Sequence, residues 1–253
     1  MRLYEITFSP TGGTEKAADM LLQAFPEKYE KISLLESKKA YAEYSFQKGD
    51  VCIIAVPSYG GRVPVTASQR LAQMKGNKAA CILLAVYGNR AFEDTLIELK
   101  QVAEDAGFVP MAAVAAIAEH SIMRQFAAGR PDVFDKEELL TFGKKIRERL
   151  LSETDSIEVQ VPGNMPYKEL HASSMVPKVL ETCTKCGRCV RECPVEAIGQ
   201  KTFEADKEKC ISCMRCIAVC PENARIFEKE LLAGLVSRLE KACSGHRENQ
   251  LFL

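Results

Sequence analysis

The first 150 residues alternate between short apolar runs and segments whose apolar positions recur every three or four residues. Residues 3–8 form a short β-type run. In residues 14–25, Ala17, Ala18, Leu21, Leu22 and Phe25 fall on one face of a helix. Residues 29–35 read as a second strand. Residues 51–56 are almost continuously apolar, the pattern of a strand covered on both faces. Residues 64–74 read as a helix with an early proline, residues 78–87 as another buried strand, and residues 91–106 as a helix that Gly107 ends. A fifth strand over residues 108–118 and a charged amphipathic helix over residues 135–151 follow. Repeated strand–helix units predict an α/β fold with a doubly wound, five-stranded parallel sheet. Beyond it the pattern changes. Residues 160–168, with Pro162 and Pro166, and Pro177 further on, read as a semi-rigid linker. Leu231, Leu232, Leu235 and Leu239 have the spacing of a helix packed on a domain.

Composition narrows the class. The chain has 253 residues, 47% hydrophobic and 27% charged, which are globular values. Its formal net charge of zero argues against a nucleic-acid footprint, which wants a basic excess. The longest apolar stretches, residues 79–86 and 111–118, have the length of buried strands, and no membrane span is expected. Unpaired cysteines without a targeting segment set the expectation of a cytoplasmic protein.

Eight of the eleven cysteines repeat one spacing: Cys183, Cys186, Cys189 and Cys193 before Pro194, then Cys210, Cys213, Cys216 and Cys220 before Pro221. This is the ligand pattern of two cubane 4Fe-4S clusters, in which the fourth cysteine of each run serves the other cluster. Cys183, Cys186, Cys189 and Cys220 are therefore assigned to one cluster, and Cys210, Cys213, Cys216 and Cys193 to the other. A zinc ribbon also uses paired C-x2-C units, yet here each run holds four cysteines, no histidine and a recurring proline. A disulfide framework requires an oxidising compartment. The two runs form an internal repeat, and residues 178–228 resemble the bacterial two-cluster ferredoxin.

After the first predicted strand comes Ser9-Pro10-Thr11-Gly12-Gly13-Thr14, and then a helix begins. Glycines let backbone amides converge on an anion, hydroxyls add donors, and the helix start adds partial positive charge. Neither the nucleotide P-loop nor the dinucleotide fingerprint is present in this loop. A plain turn capped by Thr14 is the alternative, and the place after the first strand of a five-strand pattern favours the anion site. The loop resembles the FMN-phosphate signature of flavodoxins, and the likeness spans about residues 1–150. It implies that Pro57, Ser58, Tyr59, Gly60, Gly61 and Arg62, with Tyr87, Gly88, Asn89 and Arg90, hold the isoalloxazine ring, with Gly60 as the candidate for the peptide beside flavin N5. Tyr59 and Tyr87 supply flat faces, and Arg62 and Arg90 supply charge near the flavin or toward a partner. Cys52 and Cys81 read as buried structural residues and Cys243 as incidental, while His120, after the fifth strand at the ligand-binding edge, reads as a polar loop residue or as a group touching substrate or flavin.

The expected organisation is a flavodoxin-like FMN domain over residues 1–155, a linker over 156–177, a two-cluster ferredoxin domain over 178–228 and a C-terminal helix over 229–253. The likeness to flavodoxin–ferredoxin fusions implies an electron carrier linking FMN, two 4Fe-4S clusters and redox partner proteins. The alternatives are an FMN-dependent reductase fed by its own ferredoxin domain and an FMN-free redox sensor. No acid–base dyad or nucleophile constellation marks a catalytic centre.

Overall fold

The computed structural model describes residues 1–152, 158–170 and 175–253. In chain order its elements are β1 (Leu3–Thr7), α1 (Gly13–Leu22), β2 (Tyr29–Ser33), β3 (Val51–Pro57), α2 (Val65–Leu71), β4 (Ala80–Tyr87), α3 (Thr95–Asp105), β5 (Val109–Ile117) and α4 (Val133–Leu151). The cysteine-rich region then contributes β6 (Lys178–Val179), α5 (Arg188–Arg191), α6 (Arg215–Ala218) and β7 (Arg225–Ile226). Last come α7 (Lys229–Cys243) and β8 (Gln250–Phe252).

The main sheet runs β2-β1-β3-β4-β5, all parallel. That strand order is the flavodoxin-like one, with its switch point between β1 and β3. Strand periodicity divides its side chains between two cores. Cys52, Ile54 and Val56 of β3 face α2 and α3 together with Leu71, Leu96 and Leu99. Val51, Ile53 and Ala55 face α1 and α4 with Leu21, Leu22, Leu139 and Ile146. Both faces are covered, so β3 and β4 tolerate apolar residues at every position. Each fully buried Leu or Ile stabilises the fold by about 1.5–3 kcal/mol. Cys52 and Cys81 are buried within this core, as expected of structural cysteines.

The five expected parallel strands are joined by a sixth that the pattern did not announce. β8 pairs antiparallel with β5 through Ala113–Phe252, Val114–Leu251 and Ala115–Gln250. Buried Asn249 fixes this return. Its carbonyl oxygen accepts from Ile117 N at 2.8 Å, and its amide donates to Asp135 at 2.8 Å and Glu138 at 2.6 Å. The expectation of a helix alone over residues 229–253 is corrected accordingly: α7 is present, and a strand follows it. Three residues at a sheet edge are too few for a period-2 signal.

Two helix starts also differ. α3 begins at Thr95 instead of near residue 91, because Glu93 takes a left-handed φ of 41° and the Asp94 carboxylate is engaged elsewhere. It accepts from Asn164 N at 2.8 Å and Lys168 N at 2.7 Å, strapping the proline-containing linker to the α/β body. Val159 is buried in the core beside it. α4 begins at Val133, two residues early, because Asp132 and Asp135 form a capping box. The expected domain boundary at 155/156 lies outside the described residues.

Candidate cofactor sites

The loop after β1 leads into α1 through Gly12, whose φ of 92° lies in the left-handed region that favours glycine. The N-cap residue itself, Gly12, has no side chain to cap this helix. Ser9 instead lies beneath the loop, its hydroxyl accepting from Glu15 N at 2.9 Å. Ser9 thus satisfies one first-turn amide, and the earlier amides of this ten-residue helix keep partial positive charge for an anion.

Above it opens a cavity of about 290 Å³ at the carboxyl ends of β1, β3, β4 and β5. Thr11, Gly13 and Thr14 line its polar end; Pro57, Ser58, Tyr59, Gly60, Tyr87, Gly88 and Arg90 line the remainder from the loops after β3 and β4. The structure therefore gathers ten of the fifteen residues expected to hold FMN around one space. Gly12 lies on the outer side of the same loop, with Lys16.

Three others are turned to structural work. Arg62 pairs with Glu98 at 2.7 Å, packs over the Tyr167 ring and donates to Lys168 O, so it clamps the linker. Gly61 completes a tight turn. Tyr59 N donates to Arg62 O and Arg62 N to Tyr59 O, and Gly60 and Gly61 have φ of 62° and 88°, the two positive values of a type I′ turn. Asn89 donates to Cys243 O at 2.5 Å and Gly245 O at 2.7 Å, fixing the end of α7. Arg90 forms an ion pair with Glu93; its hydrogen bonds, with those of Lys168, hold that carboxyl down at about 2 against the opposing effect of burial.

His120 enters this cavity. Its Nδ1 accepts from Ile122 N and Met123 N, both at 3.2 Å, which leaves the ring proton on Nε2. Burial pushes the imidazole down to about 4, so it is neutral at pH 7. Of the two readings of His120 at the strand edge, a group that touches the ligand and a merely polar loop residue, its place in the cavity lining favours the first. Pattern reasoning missed the roof. Leu235 and Leu239 of α7, Met175, and Ile211 and Ser212 of the second cysteine run close over the cavity. Their leucine spacing predicted packing without saying onto what. Cys243, which spacing alone leaves without a role, is buried at the foot of this roof with Met123 and Phe126.

The eight cysteines surround two further cavities. One is lined by Cys183, Cys186, Cys189 and Cys220, the other by Cys193, Cys210, Cys213 and Cys216. These are the two sets that the crossed pattern assigns. Among the described residues no three His, Cys, Asp or Glu side chains converge on a site for a single metal ion. The local backbone follows the 27-residue repeat. Left-handed φ recurs at Lys185 and Ser212, at Gly187 and Met214, and at Glu196 and Asn223. The fourth sulfur of each run accepts one equivalent hydrogen bond: Ala197 N to Cys193 Sγ and Ala224 N to Cys220 Sγ, both 3.3 Å. Donors aimed at sulfur suit thiolate ligands of an iron–sulfur group. Burial pushes the Cys213 and Cys216 thiols up to about 12, so loading metal there must displace protons.

The cysteine-rich region is held against the α/β body. Arg70 of α2 donates to Leu34 O at 2.6 Å and to Pro194 O at 2.5 Å. Arg215 donates to Pro10 O at 3.1 Å while pairing with Glu192. Ser212 donates to Met175 O at 2.8 Å, and the Tyr59 hydroxyl stands 3.5 Å from Cys213 O.

Known proteins resemble different parts of this chain. Residues 175–221 match the family model of the 4Fe-4S dicluster domain. A 26-residue stretch is 58% identical to a ferredoxin of Clostridium perfringens, covering 10% of this chain and 46% of that protein, so the match spans about half of the relative's length. Three solved flavodoxins are similar at low identity. That of Streptococcus pneumoniae is 17% identical, covering 58% of this chain and 99% of its own, with a TM-score of 0.41. An archaeal flavodoxin is 12% identical over 59% and 99%, with a TM-score of 0.43. Flavodoxin 1 of Bacillus cereus is 16% identical over 58% and 98%, with a TM-score of 0.42. From its own strand order and its cysteine region, the chain joins a flavodoxin-like α/β fold to a C-terminal 4Fe-4S dicluster domain, an arrangement for redox chemistry.

Proposed function

We propose that the chain is an electron-transfer protein that moves electrons between FMN, held at the carboxyl edge of the main sheet, and two 4Fe-4S clusters held by the crossed cysteine sets. One observation carries this reading: the cavity suited to the flavin is roofed by Ile211 and Ser212, neighbours of Cys210 and Cys213. Ile211 lines both that cavity and the space inside Cys193, Cys210, Cys213 and Cys216. The cavity of the other set shares no lining residue with the flavin cavity among the described residues. The order is therefore flavin, then the set containing Cys213, then the set containing Cys186.

The residues fit the groups. The first amides of α1, with Thr11 and Thr14, suit a phosphate, and an apolar space between Tyr59, Tyr87 and the α7 leucines suits a flat ring. FMN supplies exchange between two-electron and one-electron steps, and the clusters supply one-electron storage. The chain orients the ring, keeps water away with Met175, Leu235 and Leu239, and presents a neutral imidazole at His120. Holding donor and acceptor in one chain raises their effective concentration.

Anaerobic purification followed by flavin extraction, iron and labile sulfide analysis and EPR after reduction tests the proposal. It expects about one FMN and about eight irons per chain. Colourless protein, or protein carrying only zinc, would refute it. Sustained turnover of a small-molecule substrate by the chain alone would move the reading to the reductase.

A further inference from the structure

The 27-residue repeat surrounds two cysteine cavities whose linings differ at several positions, Thr184 against Ile211, Gly187 against Met214 and Val195 against the exposed Glu222 among them, and one difference places a buried charge beside one set only. Ile198 lines the cavity of Cys193, Cys210, Cys213 and Cys216. Its counterpart in the second half is Arg225, which lines the cavity of Cys183, Cys186, Cys189 and Cys220. Arg225 is only 3% exposed. Its Nη2 donates to Phe203 O, while Nε and Nη1 are buried with no hydrogen-bond partner. No carboxylate forms an ion pair with it among the described residues.

A buried guanidinium with two unmet donors and no counter-ion is costly, several kcal/mol by general experience of buried charges. The cost is removed when the adjacent space holds an anion rich in acceptors. A cubane bound by four thiolates is such an anion, with sulfur acceptors on every face, and it gains one further negative charge on reduction. Fixed positive charge and N–H donors beside a cluster stabilise its reduced form and raise its reduction potential.

We propose that Arg225 is a tuning residue that raises the reduction potential of the cluster held by Cys183, Cys186, Cys189 and Cys220, making the two clusters unequal. The proposal rests on the reading that each cysteine set holds a cubane. The step it modulates is a one-electron reduction. The electron arrives through the chain's own flavin and nearer cluster, and no bond forms or breaks. The charge of Arg225 also reaches Cys210 and Cys216 of the nearer set, where it opposes the upward push of burial on their thiols, so the two clusters differ in how strongly they feel it.

The test is an EPR-monitored redox titration of anaerobically purified full-length protein. Wild type is compared with Arg225→Ile, which copies the residue of the other half, and with Arg225→Gln and Arg225→Lys. Iron and labile sulfide are measured on each. In Arg225→Ile, the wave that Cys186→Ser alters, that of the cluster beside Arg225, should move to lower potential by tenfold or more in its reduction constant, about 59 mV for one electron, and a larger movement of the other wave would overturn the inference. Arg225→Lys should stay within threefold of wild type, and Arg225→Gln should fall between. Two intact cubanes whose waves stay within threefold of wild type in Arg225→Ile would overturn the inference while leaving the cofactor reading in place. If Arg225→Ile does not assemble, the Arg225→Gln titration decides alone, and coincidence with wild type overturns the inference. Wild-type protein without two EPR-active clusters overturns both readings together.

Discussion

In β1, β3, β4 and β5 most strand residues are buried, and two continuous apolar layers lie on either side of the sheet. In the dicluster region the strands are two residues long, the helices four, and the buried cluster consists of Cys189, Ile198 and Phe203 with partly buried neighbours. A four-residue helix is a single turn and does not sustain itself in water. The α/β region has enough apolar burial to fold on side chains alone. The dicluster region places its ligating sulfurs where a core would otherwise be, and metal binding then becomes part of its folding free energy. Two regions of one chain thus solve the same problem with different materials.

The largest effect should come from removing the metal. Stripping iron from the reduced protein with a chelator under anaerobic conditions should abolish amide-exchange protection across residues 178–228. Strands β3 and β4 should keep theirs. Hydrogen exchange with mass spectrometry reads both in one sample, and a dicluster region that stays protected without iron breaks the comparison. The opposite lever is Leu83→Ala, in the fully buried centre of β4. Leaving a cavity there should cost about 2–5 kcal/mol of α/β stability, seen as a lower urea midpoint of the sheet, with the iron content of the folded protein unchanged.

The same contrast governs what could be read from the chain. The grouping of the eight cysteines into two sets of four was legible, because a repeated spacing brings the fourth cysteine of each run to the three of the other. The five parallel strands were legible because strands covered on both faces are continuously apolar. Less legible were features whose cause lies far away in sequence. Asp94 ends a loop because the linker seventy residues later needs its carboxylate, and Asn89 serves the C-terminus of α7 rather than the cavity. Arg62 carries the charge expected of a cofactor loop, yet Glu98 and the linker take it up. The roof made by Leu235 and Leu239 was visible only as amphipathic spacing, since a helix face does not state its partner.

A smaller effect sharpens the comparison at the cavity between the two regions. Thr11 and Thr14 stand at the start of α1. A hydrogen bond to a charged group contributes about 1.5–3 kcal/mol, so Thr11→Val and Thr14→Val should each weaken FMN binding by about tenfold or more. Fluorescence titration of flavin-stripped protein measures this, with cluster iron as the internal control. Unchanged affinity in the double variant would remove the phosphate from this loop.

The last prediction concerns two groups in the α/β region that titrate in opposite senses. Burial pushes Glu5, in β1 beside Lys31, from an ordinary 4.5 up to about 7. Burial pushes His120 from 6.5 down to about 4. Between about pH 4.5 and 7 the folded chain keeps a proton on Glu5 that the unfolded chain has released, so this group's stabilisation declines as pH rises. Between about pH 4 and 6.5 the unfolded chain holds a proton on the imidazole that the folded chain lacks, so that stabilisation declines as pH falls. Over the shared window the two slopes oppose, and wild-type stability should be nearly flat with respect to this pair. Glu5→Gln removes the first slope and leaves the second. The variant should then lose up to about 2 kcal/mol between pH 6.5 and about pH 5, at 1.36 kcal/mol per unit of pKa difference. His120→Asn should tilt the profile the other way, gaining stability over the same interval. Urea midpoints of the sheet at three pH values distinguish these outcomes. A Glu5→Gln profile parallel to wild type would mean that Lys31 keeps the carboxylate ionised, and that the sheet, like the dicluster region, carries a buried charge with its compensation in place.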